Sequence, residues 1–286
     1  MHKRAKSGPK YIGSKILKGL VFLATFLTFL VLFFLIGYIL VKGVPHIKPN
    51  LFAFQYNTDN QSLMPAFINT VIITVLVLLI AVPIGVFSAI YLVEYAKRGN
   101  KFVGVIRITT ETLAGIPSIV YGLFGMLFFV NALKWRQSIL AGAFTLAIMV
   151  LPSIMRTTEE ALKSVPDSYR EGSFGLGAGK LRTVFRIVLP SAVPGILAGV
   201  ILAIGRVVGE TAALIYTAGT VPEIAEQMLD SGRTLAVHMY LLANEALYMD
   251  QAYATAVILL ILVIGLNALS SFVAKKLAKG NGNGEN

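Results

Sequence analysis

The sequence predicts an all-α polytopic membrane protein with six transmembrane helices. Three observations carry that prediction. First, 56% of the 286 residues are hydrophobic and only 14% are charged, and the mean hydropathy is +0.75. Soluble domains carry about 25% charged residues. A water-soluble globule this apolar lacks the polar residues to cover its surface, and a disordered chain is excluded for the same reason. Second, six segments reach or approach the roughly 20 apolar residues that a membrane helix needs. Third, the charges alternate between the intervening loops: 19 of the 25 Lys and Arg fall on one side of the six-span layout and 5 on the other. The positive-inside rule then makes both termini cytoplasmic. The net charge of +11 is a topology signal, because the basic residues are spread over four loops beside spans. A nucleic-acid footprint would cluster them on one face.

The elements follow in order. A basic N-terminus (1–15) precedes a first span at about 16–41. That run is longer than a signal-peptide core and has no small-x-small cleavage site after it, so it reads as a retained helix. Further spans are expected at about 66–93, 113–133, 138–155, 194–217 and 252–274, followed by a flexible Gly/Asn-rich tail at 275–286. The fourth is the shortest, and Pro152 is expected to end or kink it. In the long outer loop after span five, Thr220 and Glu223 have capping-box spacing, which predicts a short interfacial helix. The chain has no cysteine, and His2, His46 and His238 are scattered. Disulfides, thiolate ligands and a histidine metal cluster are therefore not expected, and no cofactor is called for. Paired catalytic carboxylates and nucleophile motifs are also missing, so the chain reads as non-catalytic.

The loop 156–193 is long, amphipathic and on the basic side. Ser168 and Glu171 have capping-box spacing, so a helix is expected to begin near Ser168. A break follows at Gly175, Gly177 and Gly179, and a second helix over 180–189 would place Leu181, Val184, Phe185 and Val188 on one face. Such a unit is suited to transmit a push from a cytoplasmic partner into the bundle. The string Gly175-Leu-Gly-Ala-Gly-Lys180 is not a phosphate loop: Phe174 stands where the first glycine belongs and Leu181 where Ser or Thr belongs.

Glu171, Gly177, Ile187, Leu189 and Pro190 fit E-x5-G-x9-I-x-L-P. This pattern resembles the "EAA" loop of the membrane subunits of bacterial ABC importers. Here Glu171-Gly172-Ser173 stands in place of Glu-Ala-Ala. The resemblance implies the type I importer permease fold, with this loop docked in a groove on an ATP-binding subunit. The stretches 112–125 (TLAGIPSIVYGLFG) and 205–214 (GRVVGETAAL) are similar to phosphate importer permeases of the PstA type. That likeness covers essentially the whole chain. It implies a membrane-embedded complex with a second homologous permease, two ATP-binding subunits and an external phosphate-binding protein. The same architecture could serve another oxyanion such as molybdate or sulfate; a secondary transporter would need no such loop.

Two charges inside span five stand out, since intramembrane charge is costly and by default functional. Arg206 lies 12 residues past Pro194, roughly 18 Å along a helix and so near the midplane. Glu210 is one turn further on the same face. Arg suits phosphate because its planar fork makes two parallel hydrogen bonds. Two readings stay open: a translocation path, or structural glue in which the two charges neutralise each other. Gly195/Gly199 and Gly205/Gly209 form two small-xxx-small pairs that would allow close helix contact. Glu111 reads as an interfacial charge at the inner end of span three.

Overall fold

In the computed structural model, residues 9–97, 99–245 and 248–280 are described. The expectations for residues 1–8 and 281–286 lie outside them. The described residues form helices and irregular segments with no strand. Among the described residues five helices are long and apolar enough to cross a membrane, and a sharply bent pair brings the number to six when it is counted as one broken span.

The first helix, α1 (Pro9–Gly43), starts earlier than its apolar run. Two short 3-10 turns and a loop return the chain to α2 (Met64–Ile90), which widens into a π turn at Tyr91–Tyr95. The third expected span is not one straight helix. Chain direction changes by 105° between α3 (Lys101–Ala114) and α4 (Ser118–Gly125, extended by a π stretch Met126–Ala132). Gly115 and Pro117 cause the break: proline removes a backbone donor and forces the residue before it out of helical geometry. α3 is consequently amphipathic and buries none of its residues.

α5 (Ile139–Lys163) is capped by Ser138, whose hydroxyl accepts from the Ala141 N–H at 3.2 Å. It runs through Pro152 and extends two turns beyond the expected end. α6 (Asp167–Gly175) follows Pro166, with no side chain capping it, so the Ser168/Glu171 capping box is not formed. α7 (Lys180–Thr183) then continues through a π turn (Val184–Val188) into α8 (Leu189–Val208). The fifth span therefore begins well before Pro194. The wide turn sits immediately before Pro190, where a regular helix would meet both a missing donor and a ring clash. Val184 and Val188 are buried against Ala89, Ile90 and Leu162, whereas Leu181 and Phe185 are exposed, so the four do not share a buried face.

The fifth span stops at Val208 rather than continuing to residue 217. After the break at residues 209–211 the chain resumes as α9 (Ala212–Thr217). The segment 218–234 is irregular, and the helix expected from Thr220 and Glu223 does not form. Instead, long-range bonds hold it: the Asn69 side chain donates to the carbonyls of Glu223 (2.8 Å) and Arg233 (3.3 Å) and accepts from the Ala225 N–H (3.1 Å). The helix in this region is α10 (Leu235–Asn244), which no sequence signal announced. α11 (Met249–Gly280) closes the bundle and stays helical into the expected tail.

The core lies where α2, α5, α8 and α9 meet, around Val77, Leu146, Val150, Ile154, Val207 and Leu214. α8 packs antiparallel to α5 at very short range. A β-carbon on Gly195 would stand 2.6 Å from that of Ala161, and one on Gly199 would collide with the Thr157 hydroxyl. The second glycine pair makes no such contact: Gly205 has open space beside it.

Candidate translocation and coupling sites

The register set by Gly195/Ala161 and Gly199/Thr157 places Arg206 level with Val150, at the midpoint of α5. The bend between α3 and α4 brings the end of α3 to the same place. A cavity of about 470 Å³ results, with Arg107 and Glu111 on α3, Ser153, Arg156 and Glu159 on α5, and Arg206 on α8. Most of its charges are already matched. Glu159 binds both Lys163 (2.9 Å) and Arg107 (3.3 Å), and Arg156 binds Glu160 (3.1 Å). Arg206 lines the cavity and makes no hydrogen bond or ion pair with any described residue. It is exposed to the cavity rather than packed into the core. Arg206 thus stands as an unpaired guanidinium, among the described residues, at the depth of the middle of α5.

Glu210 is not part of this face. The helix break after Val208 turns it inward, where it is nearly buried. Its Oε1 accepts from the Ala213 N–H at 3.1 Å, anchoring the first turn of α9. The expected pairing of Arg206 with Glu210 needs an unbroken helix, and Gly209 ends it. A carboxylate at a helix N-terminus is electrostatically favourable, which accounts for Glu210 locally. Glu111 lies in the cavity with Arg206 rather than standing apart as an interfacial charge. Sequence reading missed it because hydropathy does not report that α3 and α4 fold back on each other.

The 156–193 loop is organised around Arg170. Its guanidinium donates to Glu94 Oε1 at 2.7 and 3.1 Å, to Asp167 at 3.2 Å, and to the carbonyls of Leu162 (2.9 Å) and Val165 (2.8 Å). These bonds tie α6 to the end of α2 and the end of α5. The pair is well covered, with side-chain exposures of 14% for Arg170 and 8% for Glu94. Lys180 adds a second tie, its ammonium lying 5.1 Å from the centre of the Tyr95 ring. Of the Glu171-Gly172-Ser173 triplet, only Ser173 packs: its hydroxyl is 2.8 Å from that of Thr183, across the break.

Gly177 sits at the break with φ +82°, and a β-carbon there would meet nothing within 4 Å. The glycine is needed for its backbone angle, which L-residues resist, and not for space. Leu176 beside it is 91% exposed. Gly177 and Ile187 share the wall of a surface hollow of about 400 Å³ with Leu176 and Arg186. Glu171 is exposed on α6 outside that hollow, and Leu189 and Pro190 continue into α8. The loop thus presents a bare apolar tip and a carboxylate with no ion-pair partner among the described residues, on a unit clamped to α2 and α5.

At the opposite end of the bundle, the loops before α2 and before α10 share a buried polar cluster. The Arg233 guanidinium lies 4.5 Å from the centre of the Tyr56 ring, and Tyr56 donates to the Gln61 side chain at 2.7 Å. His238 is fully buried beside them, edge-on to Tyr56. Burial and the nearby Arg233 charge depress the imidazole pKa to about 3.

The comparisons with known proteins agree with this layout. The family model for the binding-protein-dependent transport system inner membrane component matches residues 81–281. The chain is 34% identical to the probable ABC transporter permease protein YqgI of Bacillus subtilis, over 93% of this chain and 98% of that one. It is 36% identical to the phosphate transport system permease protein PstA of Mycobacterium leprae, over 75% and 72% of the two chains. Among solved structures, a chain of a bacterial alginate ABC transporter superposes with a TM-score of 0.69 at 16% identity, covering 94% of this chain and 98% of the other. A chain of the MetNI methionine ABC transporter gives 0.57 at 19%, covering 84% and 96%. At these identities the structures speak for the fold alone, that of a type I ABC importer permease. The chain is a multi-pass membrane protein, and it belongs to the family of binding-protein-dependent transport system inner membrane components.

Proposed function

We propose that this chain is the non-catalytic permease subunit of an ATP-driven phosphate importer. It forms half of the translocation path beside a second homologous permease. Two ATP-binding subunits engage the 156–193 loop from the cytoplasm, and an external phosphate-binding protein delivers the anion at the opposite end. Both termini are then cytoplasmic, in the inner membrane, a reading that the 19-to-5 split of basic residues supports. The names of the relatives support phosphate as the cargo. The single observation carrying the path is Arg206, the cation of the mid-bundle cavity with no carboxylate partner among the described residues.

A phosphate crossing the low-dielectric interior loses hydration, and Arg206 replaces part of it with two parallel N–H donors. Glu111 in the same cavity repels the anion and keeps its dwell time short. Glu171, Gly177 and Ile187 present the surface for the ATP-binding subunit, Leu189 and Pro190 carry the movement into α8, and Glu210 keeps α9 in register behind Arg206. ATP hydrolysis belongs to the partner subunits.

The test is phosphate uptake into vesicles by the assembled complex, with subunit stoichiometry measured for each variant. A unit charge about 4 Å from the anion is worth about 4 kcal/mol at an effective dielectric of 20, or roughly a thousandfold. Arg206→Gln should therefore lower uptake by at least about a hundredfold, and Arg206→Lys should transport poorly because it loses the planar fork. Wild-type uptake by an assembled Arg206→Gln complex would remove Arg206 from the path. Stronger competition by molybdate or sulfate than by unlabelled phosphate would reassign the cargo while leaving the path intact.

A further inference from the structure

The cavity that Arg206 lines contains a second charge without a partner. Glu111 faces it from α3 and makes no ion pair or hydrogen bond with any described residue. Arg107 stands one turn earlier on α3, where an i,i+4 pair with Glu111 would ordinarily form. Its guanidinium goes instead to Glu159, at 3.3 Å. Glu159 and Glu160 are both taken by cations, so Glu111 is the carboxylate of this cavity that stays free.

Glu111 is held in place from both sides. One turn before it, Arg107 ties α3 to α5 through Glu159. Two residues after it, the Leu113 carbonyl accepts from the Tyr121 hydroxyl at 2.7 Å. That bond ties the end of α3 to α4 across the 105° bend. A group positioned by its neighbours in this way is suited to read one feature of a ligand.

A carboxylate is a poor neighbour for a bare oxyanion. At equal distance and dielectric, its repulsion cancels the attraction of one guanidinium. The conflict disappears where the anion brings its own proton, because a P–OH group donates a charge-assisted hydrogen bond to a carboxylate. Phosphate keeps at least one proton at neutral pH, whereas sulfate and molybdate keep none.

We propose that Glu111 is a specificity-determining residue of the path. Its carboxylate accepts a hydrogen bond from the protonated oxygen of an anion held by Arg206, so the cavity passes phosphate and refuses sulfate and molybdate. The proton stays on the phosphate throughout. Glu111 still repels the unprotonated oxygens, which keeps the dwell short. This rests on the reading of the cavity as a phosphate path and adds the reason that the path discriminates. A site built around a ligand's hydroxyl rejects analogues that lack it, because its own polar group is then left unpaired.

The experiment uses the assembled complex in nanodiscs without the external binding protein, so that selectivity at delivery is not read. The chain has no cysteine, and Ser153→Cys puts a single thiol on the cavity wall. Its alkylation rate is followed by mass spectrometry with millimolar phosphate, sulfate or molybdate as probes, and subunit stoichiometry is checked for each variant. Phosphate should slow alkylation at about one-tenth or less of the concentration that sulfate needs, as expected for one hydrogen bond to a charged group. Glu111→Gln keeps the size and offers an N–H donor to a bare oxygen, so the preference should collapse towards unity. Glu111→Asp should keep it. Glu111→Ala also removes the acceptor, and serves if the glutamine variant fails to assemble. A merely structural Glu111 would weaken protection by all three anions alike and leave their ratio unchanged. An unchanged phosphate-to-sulfate ratio in assembled Glu111→Gln or Glu111→Ala, with protection still dependent on Arg206, defeats this proposal alone. Protection that survives Arg206→Gln, or no protection by phosphate at all, defeats the path reading and the proposal with it.

Discussion

Replacing Arg170 with alanine isolates the link between the coupling loop and the membrane bundle. The substitution removes every bond from the guanidinium to Glu94, Asp167, Leu162 and Val165. Glu94 is left behind with only 8% of its side chain exposed. Deleting one partner of a buried pair costs about 3–5 kcal/mol, mostly because the remaining charge is unpaired. With 1.36 kcal/mol per factor of ten, the undocked population of α6 rises by about two to four decades. Native-state hydrogen exchange reads this directly at the amides of residues 176 and 178, which bond to Gly172 and Ser173 across the end of α6. Their exchange should accelerate by about a hundredfold or more if opening is local. In the assembled complex, ATP hydrolysis should persist while uptake falls, because the loop still meets its partner but no longer moves α2. The double variant Glu94→Gln/Arg170→Gln removes both charges and should recover much of the protection. Unchanged exchange at 172–178 together with normal uptake by Arg170→Ala would refute the clamp.

Other expectations follow from single features. Gly177→Val must hold φ near +82° with a β-branched side chain; it should reach the membrane yet lose coupled uptake, and normal uptake would show that the break tolerates another geometry. His238 is neutral when folded, with a pKa of about 3. The unfolded chain titrates near 6.5 and binds the extra proton between those values, so stability should be flat above about pH 6.5 and fall by up to about 1.4 kcal/mol per pH unit below it. Thermal unfolding of wild type and His238→Asn checks this, since the variant should lose that part of the slope. For topology, Ser62 and Ser173 are buried and make poor cysteine probes. Asp59→Cys and Glu226→Cys should react with an impermeant thiol reagent from outside, and Leu176→Cys only after permeabilisation; external labelling of Leu176→Cys would invert the orientation.

The parts of the fold legible in the sequence are those set by local composition. The long apolar runs and the glycine break at 175–179 both depend on spacing along one helix. What escaped depends on direction or on distant partners. Composition counts α3 and α4 as one stretch, although Gly115 and Pro117 turn the chain by 105°. The spacing of Thr220 and Glu223 suits a capping box, but Asn69 offers that segment better partners 150 residues away. Arg206 and Glu210 are four apart, yet one glycine between them ends the helix they were expected to share. The Arg170–Glu94 pair joins residues 76 apart and leaves no periodic trace.

α1 has a consequence for how the protein is made. None of its apolar stretch is buried, and its main packing is along α11, through Tyr38 with Tyr253, Gly43 with Val257, and His46 with Asp250. Those partners leave the ribosome long after α1 does. α1 must therefore wait alone in the bilayer while some 200 residues are synthesised, and its uniformly apolar surface lets it do so. α5 is the opposite case: the least apolar of the long helices and the most buried, it needs α2 beside it when it is released. Insertion order is thus written into which helices can live in lipid unaccompanied, and a polar residue on the outer face of α1 would disturb biogenesis before it disturbed transport.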